Sequence, residues 1–224
     1  MVTRLTTLLG CATADGVSCR MCSRILACLW CELQHDIIVE GKHYRLRPVT
    51  SEDGPFIVQL RTDPQRSGFI HPTSPRIADQ EEWLKSYFER PGDYYFILER
   101  KEYREAEGAV AIYDLDSAKR CAEWGRWVLL PGSKGAFESA ILIYRAAFDV
   151  LGLDMVYCRT AIKNAQVVLF HKSIGLATHA KLPRHFNFDG VWYDAIEQQM
   201  TKETWRKSRA ALEFKANWIA SYAE

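Results

Sequence analysis

The spacing of apolar residues between positions 124 and 160 predicts a strand, a helix and a second strand. Residues 124–130 are rich in aromatic and branched side chains and stop at Pro131-Gly132, as expected of a strand that ends in a turn. From residue 137 to 151 the apolar residues recur at steps of three and four, which is the period of one helix face. Residues 155–160 form another apolar run, so we expect two parallel strands joined by a helix.

The same periods predict the elements that come before this unit. Residues 43–49 alternate as a first strand, and residues 50–53 read as a capping box that opens a helix. A loop rich in Pro and Ser spans residues 63–75 and leads to a helix that contains Trp83. Residues 94–99 and 108–113 predict a hairpin that feeds the strand at 124.

Two more elements are predicted after it. Residues 177–188 and 191–200 flank an Asp189-Gly190 turn, which is typical of a hairpin. A final amphipathic helix follows Thr201, a candidate N-cap. The sum is an α/β fold in which a mixed sheet carries helices on both faces.

The turn between the strand at 124 and its helix is a candidate anion site. Its sequence is Gly132-Ser-Lys-Gly135-Ala-Phe137. The first N–H groups of a helix have no partner within the helix, and the helix dipole adds positive charge at the same place. The turn therefore favours a phosphate group. The alternative is an ordinary crossover turn, which needs glycine for structural reasons alone.

A second signature follows the strand at 155. It reads Asn164-Ala-Gln-Val-Val-Leu-Phe170-His-Lys-Ser-Ile-Gly175-Leu176. The order of elements and this spacing resemble the GNAT superfamily of acyl-CoA-dependent N-acyltransferases, whose second signature is Asn, six residues on Tyr, and five further on Gly-Phe. The resemblance covers about residues 43–206. It implies the GNAT fold and acetyl-CoA or another acyl-CoA as the cosubstrate.

The resemblance also implies where the coenzyme binds. The family holds the pyrophosphate in a turn patterned Gln/Arg-x-x-Gly-x-Gly/Ala, and here only Gly135 matches that pattern well. Lys134 offers a cation in place of the missing first side chain, with a solvated lysine as the alternative. Phe137 stands where the family usually has little or no side chain. The implied coenzyme-binding residues are Val128, Leu129, Leu130, Ser133, Lys134, Gly135, Ala136, Phe137, Asn164, Phe170 and Lys172.

Direct acyl transfer needs a base for the amine proton and benefits from an acid for the leaving thiolate. Glu123 is the candidate base, because several family members carry a glutamate at this position that acts through a water. The alternative is a glutamate at a strand end that faces solvent. The family commonly uses the tyrosine of the second signature as the acid, and Phe170 has no proton to give. His171 is the candidate substitute, although helical neighbours lie about 100° apart. A surface or packing histidine is the alternative.

The acceptor is expected to meet the loop from Arg61 to Pro72 and the helix of Trp83, because this region covers the acceptor in the superfamily. Arg61 and His71 can contact phosphate, and Trp83 can stack on a sugar or a base. The alternative is that Trp83 packs in the core and the arginine is solvated.

The acceptor class is suggested by a pattern spread along the chain, which comprises Gly125-Arg-Trp-Val, Pro131-Gly, Tyr144-Arg-Ala-Ala-Phe148, Leu151-Gly-Leu153, Phe170-His171 and the late stretch Asp189-Gly-Val-Trp-Tyr-Asp194. The whole pattern resembles bacterial acyltransferases that modify nucleotide-linked amino sugars, and the late stretch also occurs in ribosomal-protein N-terminal acetyltransferases. We favour the amino sugar, a small-molecule acceptor. A peptide N-terminus is the alternative, and an acyl-CoA sensor without catalysis is a third.

Composition narrows the class of protein. The chain has 224 residues, of which 48% are hydrophobic and 25% charged, as in a globular domain. A net charge of +1 argues against a nucleic-acid partner. No apolar run reaches the roughly 18 to 20 residues that span a bilayer, so we expect no membrane partner. The resemblance implies a cytoplasmic location, because an enzyme that uses cytosolic acyl-CoA has no reason to be exported. The sequence leaves open whether the chain forms a homodimer.

Residues 1–42 are predicted to be a Cys-rich extension ahead of an acyltransferase domain at 43–224. Cys19-x-x-Cys22 followed by Cys28-x-x-Cys31 suggests a zinc site. The gap between the two pairs is short for a zinc ribbon, so we expect no metal. Because the enzyme is expected in the cytoplasm, we expect its thiols to be reduced. The extension contributes no element that the implied fold requires.

Overall fold

The described residues form a nine-stranded mixed sheet. The computed structural model describes residues 2–3 and 33–221. The strands are β1 Val2–Thr3, β2 Ile38–Glu40, β3 Tyr44–Pro48, β4 Tyr94–Arg100, β5 Glu105–Asp116, β6 Cys121–Leu129, β7 Met155–Ala161, β8 Ala177–Phe188 and β9 Val191–Thr201. Their order in the sheet is β1-β2-β3-β4-β5-β6-β7-β9-β8, and neighbours are antiparallel except β6 and β7.

Within the described residues, five α-helices cover the two faces of the sheet. They are α1 Gly54–Thr62, α2 Ile77–Phe88, α3 Ala136–Arg145, α4 Ala165–Ser173 and α5 Lys202–Ser221. A π-helical turn, Ala146–Val150, extends α3, and 3-10 turns lie at Ser51–Asp53 and Ser67–Phe69. Helices α1 and α2 bury Ile57, Leu60 and Leu84 on one face, while α3 and α5 bury a larger cluster on the other.

The predicted fold class is confirmed, and the predicted elements agree closely with the observed ones. The capping box is present, since the backbone N–H of Thr50 donates to Asp53 Oδ2 at 2.8 Å. The cap of the last helix is present too, because Thr204 N–H donates to Thr201 Oγ1 at 3.1 Å. The periodic pattern identified these elements because each buries one continuous face.

The sheet extends upstream of residue 43. Strand β2 pairs with β3, and the side chains of Ile37 and Val39 are buried in the core beside Tyr44. A strand of three residues is too short for its alternation to stand out in the sequence. The division of the chain at residue 43 stays a prediction, and the cysteines at positions 11 to 31 lie outside the described residues.

Strands β6 and β7 separate part-way along their length. They pair in parallel at Cys121–Met155, Ala122–Val156 and Glu123–Tyr157, and each then continues without the other. A bulge in β6 lies just beyond this point, where Arg126 and Trp127 together oppose one residue of β5. The result is a gap in the middle of the sheet.

Candidate active site

A cavity of about 650 Å³ runs through the gap between β6 and β7. Glu123 and its neighbour Trp124 both line it, and so do Cys158 and its neighbour Arg159. Consecutive side chains of a strand point to opposite faces of the sheet. Residues that point to both faces of the sheet therefore line the cavity.

The predicted anion turn leads into the start of α3. The N–H of Ser133 donates to the Leu130 carbonyl at 3.1 Å, and the N–H of Gly135 donates to the Ser133 hydroxyl at 3.2 Å. A Cβ on Gly135 would lie 2.7 Å from Leu98 Cδ2, so only glycine lets the helix start this close to the sheet. The first-turn N–H groups of α3 are placed to hold an anion such as a pyrophosphate.

Phe137, which stands where the family usually has little or no side chain, turns its side chain away from the anion turn. Its side chain is 6% exposed and lies in the core cluster that α3 shares with α5. Lys215 Nζ lies 4.8 Å from its ring centroid. Because the side chain faces the core, Phe137 can still offer its backbone N–H in the first turn.

The other residues implied for the coenzyme divide between β6, the turn and α4. Val128 is buried, and Leu129 and Leu130 are half-buried at the end of β6. Lys134 and Lys172 are exposed, where their ammonium groups can reach a phosphate. Asn164 precedes α4 and lines the cavity.

Phe170 stacks on Trp127 instead of offering a polar group. The two ring centroids are 4.9 Å apart with 22° between the planes. The indole N–H of Trp127 donates to Ser139 Oγ at 3.0 Å, which anchors the stack to α3. An apolar aromatic pair therefore stands where the family usually supplies a proton donor.

Glu123 faces the cavity and not bulk solvent. It is 7% exposed, and its Oε2 accepts a hydrogen bond from Arg159 Nη1 at 2.9 Å. Burial raises the pKa of Glu123 to about 7, while the positive charge of Arg159 opposes that rise. A carboxyl group with this pKa can accept a proton at neutral pH. The solvent-facing alternative is therefore excluded.

His171 lines the same cavity from the opposite face of the sheet. It is 4% exposed, its Nδ1 lies 3.2 Å from Cys158 Sγ, and its ring packs 5.1 Å from that of Trp124. Burial lowers the pKa of His171 to about 4. The imidazole is therefore neutral at pH 7, which argues against the imidazolium as the acid and agrees with a packing role.

The three residues predicted for the acceptor all line the cavity. Arg61 Nε donates to Thr73 Oγ1 at 2.7 Å, and its Nη2 donates to the carbonyl of His71 at 3.2 Å. The His71 ring lies 5.5 Å from that of Phe188. The loop after α1 therefore reaches the β8–β9 hairpin and covers the cavity on that side.

Trp83 is already stacked within the protein. Its ring lies parallel to that of Tyr87, at 5.7 Å and 7°. The guanidinium groups of Arg90 and Arg126 lie 5.1 and 5.4 Å from its centroid. Trp83 thus lines the cavity and contacts two guanidinium groups. This arrangement fits the alternative in which Trp83 packs within the protein better than the prediction that its ring stacks on a sugar or a base.

Several lining residues were missed by the sequence analysis, and all of them follow from tertiary contacts. Tyr113 reaches over Gly125, where a Cβ would lie 2.5 Å from its hydroxyl oxygen. Arg159 comes from β7, and Arg126 comes from the β6 bulge. No local motif surrounds these residues, so the alternation of their strands is the one signal the sequence carries for them.

The charged side chains that line the cavity are mostly cationic. Four are arginines and two are carboxylates: Arg61, Arg90, Arg126, Arg159, Asp79 and Glu123. The carboxylate of Asp79 accepts a hydrogen bond from Ser74 and lies 3.6 Å from the guanidinium of Arg76. Arg126 and Arg159 are paired with carboxylates, so Arg61, whose described hydrogen bonds go to neutral groups, is the arginine best placed to meet a ligand that carries negative charge.

Comparison with known protein families agrees with this geometry. Residues 43–177 match the model of the Acetyltransferase (GNAT) domain. The chain belongs to the GNAT acetyltransferases. It is accordingly a transferase that uses acetyl-CoA or another acyl-CoA as its cosubstrate.

Solved structures of other GNAT proteins share this fold. A GCN5-related N-acetyltransferase from Brucella melitensis superposes with a TM-score of 0.71 at 21% identity, over 83% of this chain and 86% of that one. Apo FdhC, described as a nucleotide-linked sugar GNAT, gives 0.67 at 25% identity over 79% and 97%. A chimera of spermidine N-acetyltransferase SpeG from Vibrio cholerae and hSSAT gives 0.66 at 18% over 74% and 99%. No match to a curated protein was found.

Within the described ranges, no three or more His, Cys, Asp or Glu side chains are grouped so as to hold a metal ion. No helix in the part of the chain that the structure describes is long and apolar enough to cross a membrane.

Proposed function

We propose that this GNAT enzyme transfers an acyl group from acyl-CoA to the primary amine of a nucleotide-linked amino sugar. The observation that carries the proposal is the cavity through the sheet, in which the carboxyl group of Glu123 faces a lining rich in arginine. The acyl-CoA enters from the α3 side, with its pyrophosphate at the turn that ends in Gly135. The acceptor enters from the α1–α2 side, where Arg61 and Arg90 can meet its phosphates.

The reaction follows from this arrangement. The acceptor nitrogen attacks the thioester carbonyl, an amide bond forms, and the bond from carbon to sulfur breaks. Glu123 accepts the proton that the nitrogen loses, directly or through a water. Because Phe170 carries no hydroxyl group, the departing thiolate takes its proton from water or leaves as the anion.

A sugar nucleotide suits the cavity better than a polyamine. A polyamine carries several positive charges, and the arginines of the lining would repel them. The likeness to FdhC supports the sugar nucleotide, because FdhC is a nucleotide-linked sugar GNAT. The likeness to the spermidine enzyme, at 18% identity, concerns the fold alone.

A peptide N-terminus suits the cavity less well than a small molecule. Phe69 and Tyr193 approach to 6.2 Å between ring centroids, so the loop meets the hairpin over the acceptor side. A peptide needs an open groove in which its chain can continue past the amine.

An enzyme that draws on acyl-CoA in the cytosol would work in the cytoplasm, and we propose that location.

The test is a screen by mass spectrometry. Acetyl-CoA and longer acyl-CoAs are incubated with nucleoside-diphosphate amino sugars, with peptides that have free N-termini, and with spermidine. We expect amide products from the nucleotide-linked sugars. Removal of the nucleotide from the acceptor should sharply lower kcat/KM, because remote binding energy positions the amine. Turnover confined to peptides or spermidine would overturn the proposal.

A further inference from the structure

Arg126 lies inside a group of aromatic rings on the acceptor side of the cavity. Its guanidinium carbon is 4.5 Å from the ring centroid of Tyr113, 5.4 Å from that of Trp83 and 5.6 Å from that of Tyr95. Its Nη1 and Nη2 donate to the two carboxylate oxygens of Asp93, at 2.6 and 2.9 Å. We call the three rings and Asp93 the aromatic cage.

The aromatic cage has the composition of a receptor for an ammonium ion. Aromatic faces attract cations, most strongly where water is excluded, and a carboxylate adds the opposite charge. Tyr95 is 1% exposed and Asp93 is 7% exposed, while Trp83 and Tyr113 are half-buried, so the cage is partly shielded from water. In this protein the guanidinium group of Arg126 occupies the cage.

The backbone at Arg126 supports a specific role for this side chain. Its φ is 48°, in the left-handed region that glycine adopts without the steric cost of a Cβ. The residue sits in the β6 bulge, which turns its side chain into the cavity. A bulge at this place needs no arginine for its own geometry, since glycine would suit it better.

We infer that Arg126 determines acceptor specificity by occupying the aromatic cage and so excluding acceptors that carry a further positive charge. An external ammonium group would have to displace the guanidinium of Arg126, which donates two hydrogen bonds to Asp93. The positive charge of this guanidinium would also repel the ammonium group. A phosphorylated acceptor meets no such obstacle. The inference refines the proposed acceptor, but the binding of a simple cation tests it without any acyl transfer.

The experiment measures the binding of tetramethylammonium ion to the full chain by calorimetry at constant ionic strength. Arg126→Gly empties the cage while its backbone conformation remains favourable. We expect this variant to bind tetramethylammonium at least about tenfold more tightly than the unchanged protein, which corresponds to one cation–π contact that is partly shielded from water.

Arg90→Gly is the matched control. Arg90 approaches Asp93 to 3.9 Å and Trp83 to 5.1 Å, but its described contacts do not include the other two rings. Its removal should leave tetramethylammonium binding unchanged. Equal binding by the unchanged protein and Arg126→Gly, or an equal gain in Arg90→Gly, would overturn the inference.

A second variant keeps the test decisive if the first fails to fold. Loss of Arg126 leaves the buried Asp93 carboxylate without its bidentate partner, which is strongly destabilising. Arg126→Gly combined with Asp93→Asn removes that charge and retains the three rings. It should still bind tetramethylammonium more tightly than the unchanged protein, and no gain in binding would contradict the inference. Because no turnover is measured, this result is independent of whether nucleotide-linked sugars prove to be acceptors.

Discussion

Arg159 donates from Nη1 to Glu123 Oε2 at 2.9 Å across the gap where β6 and β7 separate. Tyr157 is the last β7 residue that pairs with β6, and Arg159 lies two positions further along the same face. Its Nε donates to Glu197 Oε2 at 3.1 Å, which holds the guanidinium in place. The pair thus fixes the Glu123 carboxylate inside the cavity and partly offsets its desolvation.

Replacement of Glu123 tests its role as the base. Glu123→Gln keeps the size of the side chain and removes its ability to take a proton. We expect kcat to fall by about a hundredfold or more, because general bases contribute factors of this size. Coenzyme affinity, measured by calorimetry, should hardly change. Full activity of this variant on its acceptor would assign the base to another group.

Replacement of Arg159 should change the pH dependence of activity. Glu123 must be ionised to act, so kcat/KM should rise as the pH passes through its pKa of about 7. Arg159→Met removes the cation that lowers this pKa, while Asp114 and Glu197 continue to raise it. The rise in kcat/KM should move to higher pH. Arg159→Lys, which keeps the charge, should shift it less. An unmoved profile in both variants would show that the ion pair does not tune the base.

His171 should make the protein less stable in acid. Its folded pKa is about 4, below the ordinary value of 6.5, so the unfolded chain binds the proton more readily. The neutral ring therefore contributes stability above pH 6.5 that is lost as the pH falls towards 4. His171→Phe removes this contribution, and the drop in Tm between pH 7.5 and 5 should become smaller. Part of the drop in Tm should remain in the variant, because the pKa of His35 is also lowered by burial. An identical drop in the variant would contradict the assignment.

The start of the folded unit can be measured by truncation. A chain that begins at residue 33 retains β2 and the buried side chains of Ile37 and Val39. We expect it to fold and to bind acyl-CoA. A chain that begins at residue 43 loses both side chains, and it should be less stable by about 3 kcal/mol or more in urea unfolding. Equal stability of the two chains would show that β2 contributes nothing to the core.

The sequence was sufficient for most of the fold because each long element buries one face. The helix at Ala136–Arg145 and the hairpin around Asp189-Gly190 appear directly in the apolar period and in the turn residues. The short strand Ile38–Glu40 does not, because three residues carry no detectable period.

The residues of the site that stand in local motifs could be predicted from the sequence. The residues that reach the site through strand pairing could not. Glu123 and Gly135 stand within motifs, and the resemblance identified them. Arg159 meets Glu123 because of strand pairing, and Arg126 enters the cage because of a bulge. Neither the pairing nor the bulge has a signature in a single sequence, since both depend on contacts between distant segments.

A crystal structure of the protein with coenzyme A tests the central claim most directly. The claim is that the cavity between β6 and β7 is the place where the acyl group is transferred. We expect the pyrophosphate at the turn before α3, near Gly135, and the sulfur in the gap, with its open side towards Glu123. A coenzyme bound elsewhere, or a sulfur that stays outside the gap on the α3 face, would contradict the account.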